Sequence, residues 1–240
     1  MKELLKAVMA HTPYRLVRDR GANRFQAIEV CLRALSERGF SPKVVIDGGA
    51  HLGAFSLVAK TMFPQARFHL IEPQPACSAH LSRTCVENGF VFHECALADK
   101  SGRGFLTGTV EPDTGAHMLP GLHADSIPVV TTSLDDLFGS SIHKDDRALL
   151  KLDLQGYELF ALRGGTTLLS SVELILLEVS FFAQAYEPSV VDLLAFLDAN
   201  GFILYDIAAL AGRTRDNRLK QGDFVFARKG SALLQDGRWE

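Results

Sequence analysis

From Lys43 onward, short runs rich in Val, Ile, Leu and Phe alternate with stretches of helical periodicity, and few architectures accept that alternation. Strand-helix-strand repetition joins parallel strands, and the connecting helices then cover both faces of the sheet. The apolar runs fall at 43–47, 67–72, 90–96, 148–153, 172–179, 202–207 and 223–228. Their composition suits strands buried on both sides. Helical patterns lie between them at 53–62, 75–88, 158–169 and 190–199. The last is the clearest: Ser189 and Asp192 resemble a capping box, Val190, Leu193, Leu194 and Leu197 form an apolar stripe, and Gly201 stops the helix. Ahead of the sheet, Ile28, Cys31, Leu32 and Leu35 mark another amphipathic helix. The expected organisation is a helical cap over residues 1–40, one α/β domain over 41–230 and a tail over 231–240. A length of 240 residues suits one such domain.

Composition removes several function classes. Lys and Arg total 25 against 28 Asp and Glu, a net charge of −3 without the positive field that a nucleic-acid partner calls for. The longest apolar stretch, 172–183, contains Glu173 and Glu178 and is too short to span a bilayer. The first twenty residues carry charge among their apolar positions and no small-residue cleavage pattern, so a cytoplasmic location is expected. Cys31, Cys77, Cys85 and Cys95 include no C-x-x-C pair. Cys77, Leu81 and Cys85 recur at helical spacing, which favours a buried stripe of free thiols over a metal cluster with His80 and His93.

Between Asp99 and Arg147 the pattern changes to short strand-like pieces around a loop rich in Gly, Pro and His, Glu111 to Ser126. An insertion of that length in a compact domain is usually functional, and a lid is the expected role.

The first apolar run leads directly into Asp47-Gly48-Gly49-Ala50-His51-Leu52-Gly53, and a helix follows. Such a turn lets backbone approach a ligand closely and points unpaired amides at it. Three nucleotide chemistries compete. A phosphate-binding loop would need Gly-Lys where Ala54-Phe55 stand. A dinucleotide turn would need glycine where Ala50 stands, and Asp47 would repel the pyrophosphate. S-adenosylmethionine (SAM) carries an ammonium and a sulfonium instead, so an acid at the strand end attracts it. Glu72-Pro73 then ends the second run, 25 residues after Asp47, where a carboxylate can accept both ribose hydroxyls. A simple helix N-terminal charge is the other reading of Glu72.

The blocks VVIDGGAHLGAFSLVAK, LIEP, CALADKSG, VVTTSLDDL, LLKLDLQGYELFALRGG and LILLEVS stand in the order and spacing of the FkbM-type SAM-dependent methyltransferases, which the chain resembles over about Pro42 to Ile207. The resemblance implies a class I (Rossmann-like) methyltransferase fold: a seven-stranded, mostly parallel sheet, its last strand antiparallel, with helices on both faces. It implies SAM as cofactor and a small-molecule hydroxyl acceptor, a sugar or natural product. Cofactor contacts are implied for Asp47, Gly48, Gly49, Ala50, His51 and Gly53 in the first block, Glu72 and Pro73 in the second, and Leu97 and Asp99 in the third. Two departures stand out: Gly48 and His51 take the family's Val and Asn places, and Gln155 takes the place of a Glu in Lys151-Leu152-Asp153-Leu154-Gln155-Gly156-Tyr157-Glu158.

A hydroxyl acceptor must lose a proton as it attacks the methyl carbon, so a base is expected at the carboxyl ends of the central strands. Asp153 is the best-placed carboxylate, with helix capping as its structural alternative. His117, in Thr114-Gly115-Ala116-His117-Met118, is the next candidate and is preferred to His123. Asp153 and Glu178 on neighbouring strands could instead flank a divalent cation, though Gln155 removes the nearest further charge, and a metal-free site is preferred. Two rivals are a non-catalytic SAM or nucleoside module and a nicotinamide oxidoreductase.

Overall fold

The computed structural model describes residues 24–107, 111–124, 126–182 and 188–235. Its strands in chain order are β1 (Val44–Gly48), β2 (Arg67–Ile71), β3 (Val91–His93), β4 (Ala96–Leu97), β5 (Gly102–Thr107) and β6 (Met118–Leu119). They continue with β7 (Ser126–Thr132), β8 (Ala148–Leu152), β9 (Val172–Ser180), β10 (Phe202–Arg213) and β11 (Leu219–Arg228). The helices are α1 (Arg24–Glu37), α2 (Ala54–Met62), α3 (Pro75–Asn88), α4 (Leu134–Phe138), α5 (Glu158–Arg163), α6 (Thr166–Leu169) and α7 (Val190–Ala199).

Seven strands form the main sheet in the order β10-β11-β9-β8-β1-β2-β3, and β11 alone runs opposite to the other six. This is the expected seven-stranded sheet with its last strand reversed. Alternate strand residues feed two cores. Val44, Ile46, Leu150, Leu152, Ile175 and Leu177 pack under α4 to α7, while Val45, Leu149, Leu174, Leu176 and Phe68 pack under α1 to α3. Cys77, Leu81 and Cys85 lie on the buried side of α3, as their spacing predicts. Ser189 and Asp192 close the expected capping box on α7.

Several elements differ from expectation for identifiable reasons. The run 90–96 is two strands, because a turn at Cys95, whose amide donates to His93 O at 3.0 Å, redirects the chain into a second sheet, β4-β7-β5-β6. The insertion Glu111–Ser126 therefore hangs on a small sheet, to which it adds β6, and Met118 joins Ala96, Leu106 and Val129 in that sheet's own core. The pattern 158–169 breaks at Gly164-Gly165, where a Cβ on Gly164 would lie 2.3 Å from Ala98 O, so the two segments touch backbone to backbone. The hairpin β10-β11 extends well beyond the apolar runs that announced it. Of the 231–240 stretch, Leu233 is buried in the α1 to α3 core, and residues 236–240 lie outside the described residues, as do 1–23 of the expected cap. No helix among the described residues is long and apolar enough to cross a membrane.

Leu150 sits fully buried in central β8, so Leu150→Ala should cost about 2–5 kcal/mol through lost contacts and a residual cavity. Val86 is 85% exposed, and Val86→Ala should stay within about 0.5 kcal/mol. Urea unfolding of both variants checks the pair.

Candidate functional site

The glycine turn between β1 and α2 exists because three of its residues accept positive φ: Gly49 at 71°, His51 at 49° and Gly53 at 82°. Glycine at 49 is also a packing requirement. A Cβ there would sit 1.9 Å from Asp153 O, so no side chain fits between the ends of β1 and β8. Gly49 and Ala50 amides donate to Ile71 O at 2.9 and 3.1 Å, and the Asp153 amide donates to Gly48 O at 3.1 Å. Three adjacent strand ends are thus laced together.

Lys151 completes that lacing. It pairs in register with Asp47, which puts both side chains on one face of the sheet. Its ammonium lies 2.9 Å from Asp47 Oδ1 and donates to Gly48 O at 3.1 Å and Gly49 O at 2.8 Å. Burial opposes the ammonium, but Asp47 and Asp153 outweigh it and hold Lys151 above its ordinary range. Asp47 is fully buried, its other oxygen accepting from Ser56 Oγ at 2.7 Å. Its carboxylate is therefore committed to Lys151 and Ser56 and does not line the cavity, in contrast to the direct cofactor contact expected of it.

A cavity of about 310 Å³ opens at the carboxyl ends of these strands. Gly49, Ala50, His51, Glu72, Pro73 and Leu97 line it. Gly48 and Gly53 shape the turn from behind, and Asp99 is exposed outside the cavity wall. Glu72 accepts from the His51 amide at 2.8 Å and the Gln74 amide at 3.0 Å, which fixes both oxygens against the turn. Burial pushes the Glu72 carboxyl up, with those amides opposing. His51 Nε2 is buried without a hydrogen-bond partner among the described residues. An orphaned donor or acceptor beside a glycine cradle and a fixed carboxylate fits a nucleoside-bearing ligand.

Three carboxylates meet at the other wall. Asp223 pairs in register with Glu178, and Asp153 follows Leu152, which pairs with Leu177, so all three stand level at neighbouring strand ends. Arg24 of α1 reaches into the group: it lies 3.1 Å from Asp153 Oδ2, 2.9 Å from Glu178 Oε1, and its Nε donates to Asp223 Oδ2 at 2.6 Å. Gln155 Nε2 bridges Asp153 and Glu178, donating to each at 2.8 Å, and Gln221 also donates to Glu178. Burial would raise Asp153, but Lys151 and Arg24 more than offset it and keep this carboxyl low. Burial and the Asp153 charge push Glu178 the other way. Asp153 is thus the member of the pair that stays ionised. Position 155, where a carboxylate would have repelled these two, donates instead through its amide.

His117 lines the cavity from the insertion, its Nδ1 within 3.0 Å of Gly115 O, whereas His123 is exposed outside it. The insertion is moored to the main sheet by Gln74, which donates to Asp113 O and accepts from the Asp113 amide, both at 3.0 Å. Sequence reasoning overlooked Lys151, Arg24, Asp223 and Gln74. A lone charge within each apolar run could have flagged Lys151 and Asp223; Arg24 and Gln74 carry no local signal.

Two predictions follow from these buried charges. Lys151→Met strands Asp47 and should destabilise the fold by about 3–5 kcal/mol, with Asp47→Asn added to it recovering part of the loss in urea unfolding. Glu158, buried while accepting from the Leu154 amide at 2.6 Å, is pushed up to about 7 by burial. A raised carboxyl gives stability that is full below its ordinary 4.5 and lost as pH rises through 7, because the folded state holds the proton more tightly. Glu158→Gln should flatten that part of the stability profile between about pH 4.5 and 7, measured as melting temperature against pH.

Comparison with known proteins places this geometry. Residues 47–204 match the methyltransferase FkbM domain. Methyltransferase sdnD of Sordaria araneosa is 37% identical over 67 residues, which cover 26% of each protein. The magnesium protoporphyrin IX methyltransferase ChlM of Synechocystis PCC 6803, solved with bound SAM, aligns over 95% of this chain and 97% of its own with a TM-score of 0.52 at 13% identity. The methyltransferase FkbM of Methylobacillus flagellatus KT aligns over 77% of this chain and 43% of its own, with a TM-score of 0.48 at 19% identity. The chain therefore spans about a quarter of the curated relative and less than half of that FkbM structure. With the matched domain covering the glycine turn, Glu72 and the Asp153 strand end, the chain belongs to the FkbM family of SAM-dependent methyltransferases.

Proposed function

We propose that the protein methylates a hydroxyl group on a sugar or natural-product small molecule, with Asp153 orienting that hydroxyl and accepting its proton. The observation that carries this reading is an ionised carboxylate in the wall of the cavity that also holds the glycine turn, Glu72 and His51. SAM, when bound, supplies an electrophilic methyl group and departs as a neutral thioether. Gly49, Ala50 and His51 would receive it along the turn, and Glu72 would accept hydrogen bonds from its ribose. The apolar wall of Leu97, Leu106 and Met118 would exclude water from the reacting atoms.

The chain's contribution is then mainly positional. Arg24 and Gln155 clamp Asp153 from two sides, so its carboxylate has a fixed direction. Its low basicity suits orientation and late proton acceptance more than early deprotonation. His117 would take the outer side of the acceptor, its Nδ1 held 3.0 Å from Gly115 O. The insertion, moored through Gln74 and Asp113, would close the cavity over both ligands. Occupation of the carboxylate trio by a guanidinium favours a metal-free site.

The test is mass spectrometry of products after SAM is offered with paired hydroxyl and amine acceptors of the same sugar and polyketide scaffolds. Transfer to hydroxyls, with turnover cut about 100 to 10,000-fold by Asp153→Asn and SAM affinity retained, is expected. Transfer to amines alone, or activity lost to a chelator and restored by Mg²⁺, overturns the reading. A melt with saturating S-adenosylhomocysteine, at about 100 times its dissociation constant, should show about 2.7 kcal/mol of added stability, and NAD should add none.

A further inference from the structure

At the opposite end of the sheet, where β8 and β9 begin and β11 ends, lies a groove of about 460 Å³. β9 joins the two ends: Val172 lines this groove and Glu178 lines the cofactor cavity, about 20 Å away at ~3.3 Å per residue. Among the described residues, the groove wall carries Arg38, Lys144, Arg147, Arg228 and Lys229 against the single carboxylate of Glu173. A net excess of four positive charges on one concave surface stands out in a chain whose total is −3.

The internal pairing leaves most of that charge unspent. Arg147 is committed, donating to Glu173 through Nε at 2.6 Å and Nη2 at 3.1 Å, and Ser231 Oγ also donates to Glu173 at 2.9 Å. Lys229 reaches out to Asp198 at the exposed surface. Arg228 is held differently. Its Nε donates to Val172 O at 2.7 Å and its guanidinium stacks 4.5 Å from the Phe202 ring centre, yet its Nη2 is buried with no hydrogen-bond partner among the described residues. A guanidinium fixed on two sides and unsatisfied on the third is a preorganised oxyanion donor, and leaving it unmet costs stability. Arg38 and Lys144 are exposed at the rim.

We propose that this groove binds a soluble phosphate ester, with Arg228 as the buried anchor and Arg38 and Lys144 as rim contacts. The one internal carboxylate is already neutralised by Arg147, so the remaining cations answer to a multiply charged oxyanion more than to a second carboxylate. The site is separate from the methyl-transfer cavity, and it stands whether or not the acceptor assignment above holds.

Calorimetric titration of the full chain with sodium pyrophosphate, at ionic strength fixed with NaCl and with S-adenosylhomocysteine saturating, tests the proposal. Binding should persist with the cofactor cavity filled, and Arg228→Gln should weaken it at least about tenfold. Arg38→Ala combined with Lys144→Ala should weaken it similarly, and these rim residues are exposed, so folding is not at stake. S-adenosylhomocysteine affinity should be unchanged in both. Absence of binding at millimolar pyrophosphate, displacement by S-adenosylhomocysteine, or equal affinity in the rim double variant overturns the site. Binding to phosphatidate vesicles with none to pyrophosphate also overturns it, by making the source a membrane.

Discussion

Lys151 places a positive charge inside a parallel sheet, and the cavity end of the protein is organised around satisfying it. Its ion-pair partner Asp47 and its two acceptors, Gly48 O and Gly49 O, are consecutive residues, so one ammonium fixes where β1 ends and where the turn begins. The cost of removing that charge from water is offset only if the geometry is held tightly. Gly49 provides the tightness, since its missing side chain lets Asp153 O close on the turn. The turn that lines the cavity and the packing of the strand ends thus draw on the same few atoms.

The acidic wall obeys the same physics with the signs exchanged. Three carboxylates at adjacent strand ends would repel one another in a low-dielectric site. Arg24 resolves the conflict with a planar fork that meets all three, and the Gln155 amide bridges the closest two. With Glu in place of Gln155 the cluster would hold a fourth acid and lose a donor. The family departure is therefore compensated within this chain, and it reads as a retuned site more than as a damaged one.

How much of this was legible depended on whether a residue's partner was set by local pattern. The periodicities that marked β1, β8, α3 and α7 are consequences of burial, and burial organises the main sheet. The Gly49, His51 and Gly53 turn was readable because its φ values demand such residues. The place of Asp47 at a strand end is legible and its partner is not: sequence shows an acid near a turn but not the register that sets it against Lys151. Arg24 lies in an ordinary amphipathic pattern, and only the docking of α1 across the sheet brings it to Asp153. The split at Cys95 escaped because apolar content does not say which of two sheets a residue joins.

The contact between Arg24 and Asp223 spans 199 residues of sequence. Closing so long a loop is entropically slow, and contacts of this separation form late. During synthesis, the glycine turn and the Asp153 strand end emerge well before β11. Until that reversed strand inserts beside β9, Asp223 is missing from the cluster and Arg24 lacks the partner it binds most closely. The acidic wall is therefore a checkpoint on completion: a chain can assemble its glycine turn and the β8 strand end from the first two-thirds of its length, yet the charges around Asp153 come into balance only when Arg24 and Asp223 have met.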